Sequence, residues 1–262
     1  MTPGGLATPQ GGVGGTAGAG RRGTYDAGVA EPPLIRWDAP GPYVVAFTTR
    51  HGGVSTGPYE SLNLAQRAGD DPERVEQNRM IVCEALGAEP ERLTMNRQRH
   101  TALVHRAHAG RRGEPGDGLW TDEPGLPMLK LTADCVPVAI ARANGARPAL
   151  ALLHAGWRGL AEGIVEAGVA ALGGGKLAAA IGPSAGPCCY EVGPEVSERF
   201  DTDLTRGRIL DLWSATERAL RAAGVAVIER VDLCTRCNPE LFFSHRRQGP
   251  VRGTQGVVGL VA

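Results

Sequence analysis

Two short segments carry the side chains best suited to chemistry: Cys135 in Thr132-Ala-Asp-Cys135, and His154 in His154-Ala-Gly-Trp-Arg158. A thiol and an imidazole serve either as metal ligands or as a nucleophile with its base. Each lies at the end of an apolar run, and strand ends that open into glycine-rich turns are where α/β proteins place their sites. If the two strands are neighbours, the two groups converge. A catalytic zinc takes three protein ligands and keeps one position open, so a third ligand is needed. The segment Gln98-Arg-His-Thr-Ala-Leu-Val-His105 offers His100 and His105, with His108 just beyond, and spacing leaves the three open. A soft thiolate with two imidazoles suits zinc first and copper second, over magnesium or calcium. Asp134, beside Cys135, reads either as a carboxylate that orients a ligand or as the cap of a turn.

Other reactive types are spaced less tellingly. Cys234-x-x-Cys237 is half of a structural zinc motif, and its only partner pair is Cys188-Cys189. Adjacent cysteines satisfy tetrahedral chelation poorly, so the sequence argues against a four-cysteine site. Among the 28 basic residues only Lys130 and Lys176 are lysines, which leaves nearly all positive charge as guanidinium, the group that holds phosphate or carboxylate by paired bonds. Arg50 and Arg158 in glycine-rich turns, and Arg246 in Phe242-Phe-Ser-His-Arg-Arg247, are the candidates for binding an anion. The glycine-rich stretch 181–190 lacks the spacing of a phosphate-binding or dinucleotide loop.

The elements that must position these residues follow from apolar periodicity. Residues 43–47 read as a strand that runs into Thr49-Arg-His-Gly-Gly-Val-Ser55. Asp70-Asp71-Pro72-Glu73 is a helix start, with a carboxylate cap followed by proline and glutamate in the first turn. That helix buries Val75, Val82 and Leu86 and stops at Gly87. A loop-rich stretch to about residue 127 precedes strand candidates at 128–131, 136–141, 149–153, 177–181, 225–229 and 256–260. Helices fit 160–172, 194–200 and 212–223. The irregular alternation of strands and helices predicts one mixed α/β (α+β) domain over residues 31–262. The Gly/Ala-rich segment 1–30 has too little apolar surface to offset its ordering entropy and is expected to be a disordered tail.

With 28 basic and 28 acidic residues the formal net charge is +0. No overall field favours nucleic acid or an acidic membrane surface. No apolar run approaches the roughly 18 residues of a membrane span, and no secretory core is visible at the N-terminus. Six cysteines in 262 residues do not make a disulfide framework. The expectation is a cytoplasmic, reducing compartment in which a cysteine acts as ligand or nucleophile.

Taken together, Thr49-Arg-His-Gly-Gly-Val-Ser55, Pro58-Tyr-Glu-Ser-Leu-Asn-Leu64, Thr132-Ala-Asp-Cys-Val-Pro137, His154-Ala-Gly-Trp-Arg-Gly159, Ile181-Gly-Pro183, Cys189-Tyr-Glu-Val192, Cys234-Thr235 and Phe242-Phe-Ser244 are similar to one family. The chain resembles the YfiH-like laccase-domain proteins, formerly labelled multicopper polyphenol oxidases and described as purine nucleoside phosphorylases. The likeness runs from about residue 33 to the C-terminus. It implies a mixed β-sandwich flanked by helices, and one zinc held by a cysteine and two histidines: Cys135, His154 and the histidine of Gln98-Arg-His100. The same three are the implied catalytic residues, and Asn63 joins Arg50, Arg158 and Arg246 as a candidate substrate or phosphate ligand. Arg99 and Thr101 depart from the family's usual small residues beside that histidine. His245 stands in place of a tyrosine, and Arg252-Gly253 reverses the family's Gly-Arg.

The implied activity is phosphorolysis of adenosine, inosine, guanosine and methylthioadenosine to base and ribose-1-phosphate, with adenosine deamination beside it. The zinc deaminase signature of His-x-Glu followed by Pro-Cys-x-x-Cys is absent, so deamination would use another constellation. The implied partners are purine nucleosides and inorganic phosphate, without nucleic acid or membrane, on a monomer or a homodimer. Two other readings use the same residues. One is a Cys–His amide hydrolase acting on peptidoglycan precursors, with Cys135 as nucleophile and His154 as base. The other is a copper-dependent polyphenol oxidase, for which six histidines are few.

Overall fold

Alternation along the long strands decides the architecture, because each strand places its odd and even residues in different cores. The computed structural model describes residues 32–66, 69–144 and 147–262; the expected disordered tail, 1–30, lies outside the described residues. The chain begins with β1 (Leu34–Trp37) and β2 (Tyr43–Thr48), then helix α1 (Pro72–Ala85). Four short strands follow: β3 (Met95–Arg97), β4 (Val104–Arg106), β5 (Arg112–Pro115) and β6 (Gly118–Thr121). Next come β7 (Met128–Thr132), β8 (Val136–Asn144) and β9 (Leu150–Ala155), helices α2 (Trp157–Ala161) and α3 (Ile164–Ala171), and strand β10 (Lys176–Ile181). The last third holds α4 (Pro194–Ser197), the strand pair β11 (Thr205–Arg206) and β12 (Ile209–Leu210), α5 (Leu212–Ala222), β13 (Val227–Arg230), α6 (His245–Gln248) and β14 (Gln255–Val261).

Two sheets face each other, one of four strands in the order β1-β2-β14-β7 and one of six in the order β13-β10-β8-β9-β6-β4. Val45, Phe47 and Val257 of the first sheet meet Ala139, Ala141, Leu150, Leu152, Ala178 and Ala180 of the second in the core between them. The alternate residues Val138, Ile140, Leu153, Ala179 and Ile181 turn to the other face and pack with Ile164 and Val165 of α3 and Leu220 of α5. On the other side Ala46, Val258 and Leu260 pack with Val82 and Cys83 of α1. The order is therefore helix, sheet, sheet, helices: a mixed β-sandwich flanked by helices in a single mixed α/β domain. Small alanines on the six-stranded sheet leave room for large side chains from its partner. At Gly182, just past β10, a Cβ would stand 2.2 Å from the Phe47 ring. No helix among the described residues is long and apolar enough to cross a membrane.

Helix α1 starts as its sequence dictates. The Asp71 carboxylate accepts the Glu73 N–H at 2.9 Å, Pro72 occupies the first turn, and Gly87 follows the helix at φ 68°. Elsewhere the elements differ from those read in the sequence. The single helix expected at 160–172 is two, because Gly163 takes the left-handed conformation, φ 89°, and caps a new helix. The helix at 194–200 stops at Ser197. The stretch expected to be loop-rich contains β3 to β6. These strands have three or four residues each and no alternating pattern, and pairing with distant strands forms them.

Lys130 of β7 is 1% exposed. Its ammonium reaches Asn96 Oδ1 and, at 3.5 Å, the Gly116 carbonyl. Burial pushes its pKa down from 10.5 to about 7, and the Asp117 charge opposes the shift. The unfolded chain keeps this proton up to about pH 10, whereas the folded chain releases it near 7. Between those limits the unfolded state binds more protons, so Lys130 makes stability rise with pH across that window and adds no slope below it. The expected result is that Lys130→Met removes the rise between pH 7 and 10 in denaturant titrations. A variant with an unchanged slope would show that the lysine stays charged in the fold. Slope is the appropriate readout because the substitution also strands Asn96 Oδ1, a loss of about 1–3 kcal/mol.

Candidate metal centre and cleft

Four adjacent segments of the six-stranded sheet end at one point, and the ladder register explains why. In the β8–β9 pairing Val136 lies opposite Ala155 and Pro137 opposite His154, so Cys135, one residue before β8, stands beside the end of β9. In the β6–β9 pairing Gly118 lies opposite Leu153. That puts Asp117 next to His154, and the His154 N–H donates to the Asp117 carbonyl at 2.8 Å. The parallel pairing of β4 with β6 sets Val104 against Gly118, and the loop that carries His100 leads into β4.

His100, Cys135 and His154 offer three ligand atoms within 4.8 Å of one another. Cys135 Sγ lies 3.8 Å from His100 Nε2, and the two imidazoles meet edge to face with centroids 4.9 Å apart. His154 is buried and Cys135 is half-buried. His154 Nδ1 donates to Asp117 Oδ1 at 2.8 Å, which leaves Nε2 as the free nitrogen. A carboxylate behind a histidine is the usual way to fix the ring and tautomer of a metal ligand. One thiol and two imidazoles so placed fit a tetrahedral zinc with one position left open. Gly156 keeps the space clear, since a Cβ there would stand 2.9 Å from the His100 ring and 3.1 Å from Cys135 Sγ.

Asp117 is fully buried and accepts from His154, from the backbone N–H groups of Arg99, His100 and Thr101, and from Thr101 Oγ1. Burial opposes ionisation, but these donors outweigh it and hold the carboxyl well below the usual carboxylate range. Burial, with the charges of Asp134 and Asp117, pushes the Cys135 thiol up to about 12. Burial pushes His154 down to about 4 against the Asp117 hydrogen bond, and lowers His100 as well. Without a cation the trio is therefore neutral. A bound dication would reverse this balance by stabilising the thiolate.

The backbone reaches this arrangement through two non-glycine residues at positive φ, His100 at 62° and Asp134 at 91°. Local bonds hold both turns. Gln98 Nε2 donates to the Leu131 carbonyl and its Oε1 accepts the Leu131 N–H at 2.8 Å, which ties the His100 loop to β7. The Asp134 carboxylate accepts Thr235 Oγ1 and the Arg246 N–H, each at 2.7 Å, and the Ala185 N–H donates to its carbonyl. Asp134 therefore fixes the turn that carries Cys135, while the carboxylate that orients a ligand is Asp117. Sequence reasoning missed Asp117: it lies 37 residues from His154, and its only local signal is a lone carboxylate between Gly116 and Gly118.

The remaining candidates are placed elsewhere. His105 bonds the Pro115 carbonyl, and exposed His108 is outside the cluster. Arg50 donates to the carbonyls of Glu60 and Pro239 and stacks on Phe243. Arg158 is exposed and lies over the Trp157 ring, where its charge still reaches His100. Arg246 lies over Tyr190 and donates to the Glu191 carbonyl. Asn63 is fully buried, bonded to Ala65, Asp70 and the Thr254 N–H. None of these four faces the open cleft of about 730 Å³ that has the trio in its wall. The arginines that do line the cleft are Arg79, Arg97, Arg112 and Arg252. Arg79 and Arg112 are tied to Glu76 and to backbone carbonyls. Arg97 and Arg252 each keep a buried Nε–H with no acceptor among the described residues.

Comparison with known proteins gives the family. The profile of the multi-copper polyphenol oxidoreductase laccase family matches residues 44–261. A purine nucleoside phosphorylase of Pseudomonas aeruginosa is 36% identical over 225 residues, covering 80% of this chain and 90% of its own. The purine nucleoside phosphorylase YlmD of Geobacillus stearothermophilus is 37% identical over 243 residues, covering 81% and 87%. The crystal structure of YlmD superimposes with a TM-score of 0.81 at 33% identity, over 91% of this chain and 99% of that one. The chain belongs to the multi-copper polyphenol oxidoreductase laccase family, the family of YlmD and YfiH.

Proposed function

We propose that this protein is a zinc-dependent purine nucleoside phosphorylase that takes adenosine, inosine, guanosine and methylthioadenosine, and that it also deaminates adenosine. The observation that carries the reading is the Cys135–His100–His154 trio in the wall of a cleft that Arg97 and Arg252 also line. Relatives named purine nucleoside phosphorylases support it. His100, Cys135 and His154 would hold the zinc. When bound, it would supply positive charge and Lewis acidity at the cleft wall.

The chain's own residues supply binding and orientation. Arg97 and Arg252 place HPO₄²⁻ by charge-assisted bonds, which brings a phosphate oxygen into line with the ribose C1′. The new C1′–O bond forms as the C1′–N9 bond breaks, and its electron pair leaves with the purine. The phosphate proton is the one the departing base gains, so the reaction balances without an outside acid. Leu131 and Met95 give the cleft an apolar stretch suited to a purine face. In the deamination, water adds at C6 and ammonia leaves. Phosphate and nucleoside are both cytoplasmic metabolites, which fits a chain whose thiols need a reducing compartment.

Incubation with adenosine and phosphate, followed by chromatography, is expected to yield adenine and ribose-1-phosphate, with inosine as the deamination product. Cys135→Ala and His154→Ala should lose the cleft zinc and fall to background. Full turnover by either variant would sink the zinc reading. If the wild type cleaves an amide without metal, the Cys–His hydrolase is correct instead. Copper loading that elicits phenol oxidation would favour the oxidase.

Asp117→Asn keeps the shape but weakens the anchor of His154, and zinc affinity should drop about 10-fold to 100-fold in chelator competition. An unchanged affinity would mean that the carboxylate serves folding alone. Arg252→Met, losing a charge-assisted bond of about 1.5–3 kcal/mol, should raise KM for phosphate roughly 10-fold to 150-fold while changing KM for nucleoside far less. Equal changes in both would remove Arg252 from the phosphate site.

A further inference from the structure

A second cluster of metal-type ligands lies outside the cleft, made by the two cysteine pairs whose spacing argued against a shared ion. β10 and β13 run parallel as neighbours, so the turns leaving their ends emerge side by side. The pairing continues beyond the strands: the Ser184 N–H donates to the Leu233 carbonyl at 3.3 Å and the Thr235 N–H to the Ser184 carbonyl at 3.0 Å. One turn carries Cys188 and Cys189, the other Cys234 and Cys237. The thiols meet with Cys188–Cys189 at 3.7 Å, Cys188–Cys237 at 3.5 Å, Cys189–Cys234 at 3.3 Å and Cys189–Cys237 at 3.7 Å, and all four lie within 4.8 Å of one another.

These separations decide between the two uses of converging thiols. A disulfide needs about 2.05 Å between sulfurs, and no pair approaches it. A tetrahedron of sulfurs about 2.3 Å from a central zinc has edges of about 3.8 Å; the four separations of 3.3, 3.5, 3.7 and 3.7 Å lie near that length, and all four sulfurs stay within 4.8 Å of one another. Adjacent cysteines serve here because the turn 186–190 folds back on itself, with the Cys189 and Tyr190 N–H groups both on the Gly186 carbonyl. The Gly186 N–H points at Cys234 Sγ, 3.3 Å away, a donor suited to a thiolate. Arg236, whose Nη1 donates to the Cys189 carbonyl, brings a positive charge beside a group that would carry four negative ones.

We propose that Cys188, Cys189, Cys234 and Cys237 form a structural four-thiolate zinc site, separate from the cleft. It clamps the turn after β10 to the turn after β13. Both turns reach the Cys135 bend: Ala185 and Thr235 bond Asp134, and Tyr190 carries Arg246, whose N–H is the other Asp134 donor. The clamp therefore holds the turn that aims Cys135, without touching substrate.

Elemental analysis of the full chain, purified under reducing conditions with zinc supplied, is the test. The wild type should carry two zinc ions per chain, one for each cluster. Cys188→Ser/Cys237→Ser should carry one, and so should Cys135→Ala; the double serine variant should also melt at a lower temperature. Because Cys135→Ala empties only the cleft, failure of the phosphorylase reading leaves this count intact. If the double variant does not fold, the wild type still decides. Its exposed Cys188 and Cys237 should resist a thiol-reactive reagent until a chelator is added. One zinc in the wild type that Cys135→Ala abolishes, immediate reaction of those thiols at full zinc load, or a Cys–Cys disulfide in the native protein by mass spectrometry would each overturn the proposal.

Discussion

A carboxylate without solvent must find its donors in the protein, and Asp117 finds five: His154 Nδ1, three successive backbone N–H groups of the loop 99–101, and Thr101 Oγ1. An ionised group this deep is tolerated only when its hydrogen-bonding capacity is filled. Filling it places the ring of His154 and the backbone of His100 at once. Lys130, whose charge interacts with Asp117, is held by Asn96 and is itself kept weakly basic by burial. The geometry of two candidate ligands is thus a consequence of solvating one charge.

Cys135 has a separate support. Asp134 takes a left-handed backbone conformation that side chains rarely adopt, and donors from three distant segments, Ala185, Thr235 and Arg246, hold it there. Such strain persists where surrounding bonds over-determine the turn. Two neighbouring carboxylates therefore divide the work, one fixing the imidazoles and the other the thiol. Both are anchored to the same six-stranded sheet, whose alanine-lined face lets the second sheet pack close behind the site.

The arginine-rich surface, read along the chain, offered too many anion ligands to choose among. Among the described residues many guanidinium groups are committed. Arg50, Arg79, Arg112, Arg246 and Arg247 cap carbonyls or pair with carboxylates. Arg97 and Arg252 line the cleft, and each keeps a buried Nε–H without an acceptor among the described residues.

What the sequence determined by itself was whatever depends on neighbours along the chain. The cap of α1 at Asp71 and its stop at Gly87, the strand character of β7 to β10 and β14, and the reactive types Cys135 and His154 at strand ends were all legible, because capping, periodicity and turn chemistry are local. The motifs also carried the family, and with it the sandwich and the choice of His100 over His105 and His108. Tertiary structure decided what depends on register. The β6–β9 ladder brings Asp117 against His154, and the extension of the β10–β13 pairing brings Cys188 and Cys189 to Cys234 and Cys237. Pairing also creates β3 to β6 from segments with no pattern of their own. None of these contacts leaves a trace in spacing, since a ladder fixes distance between residues that the chain separates by tens of positions.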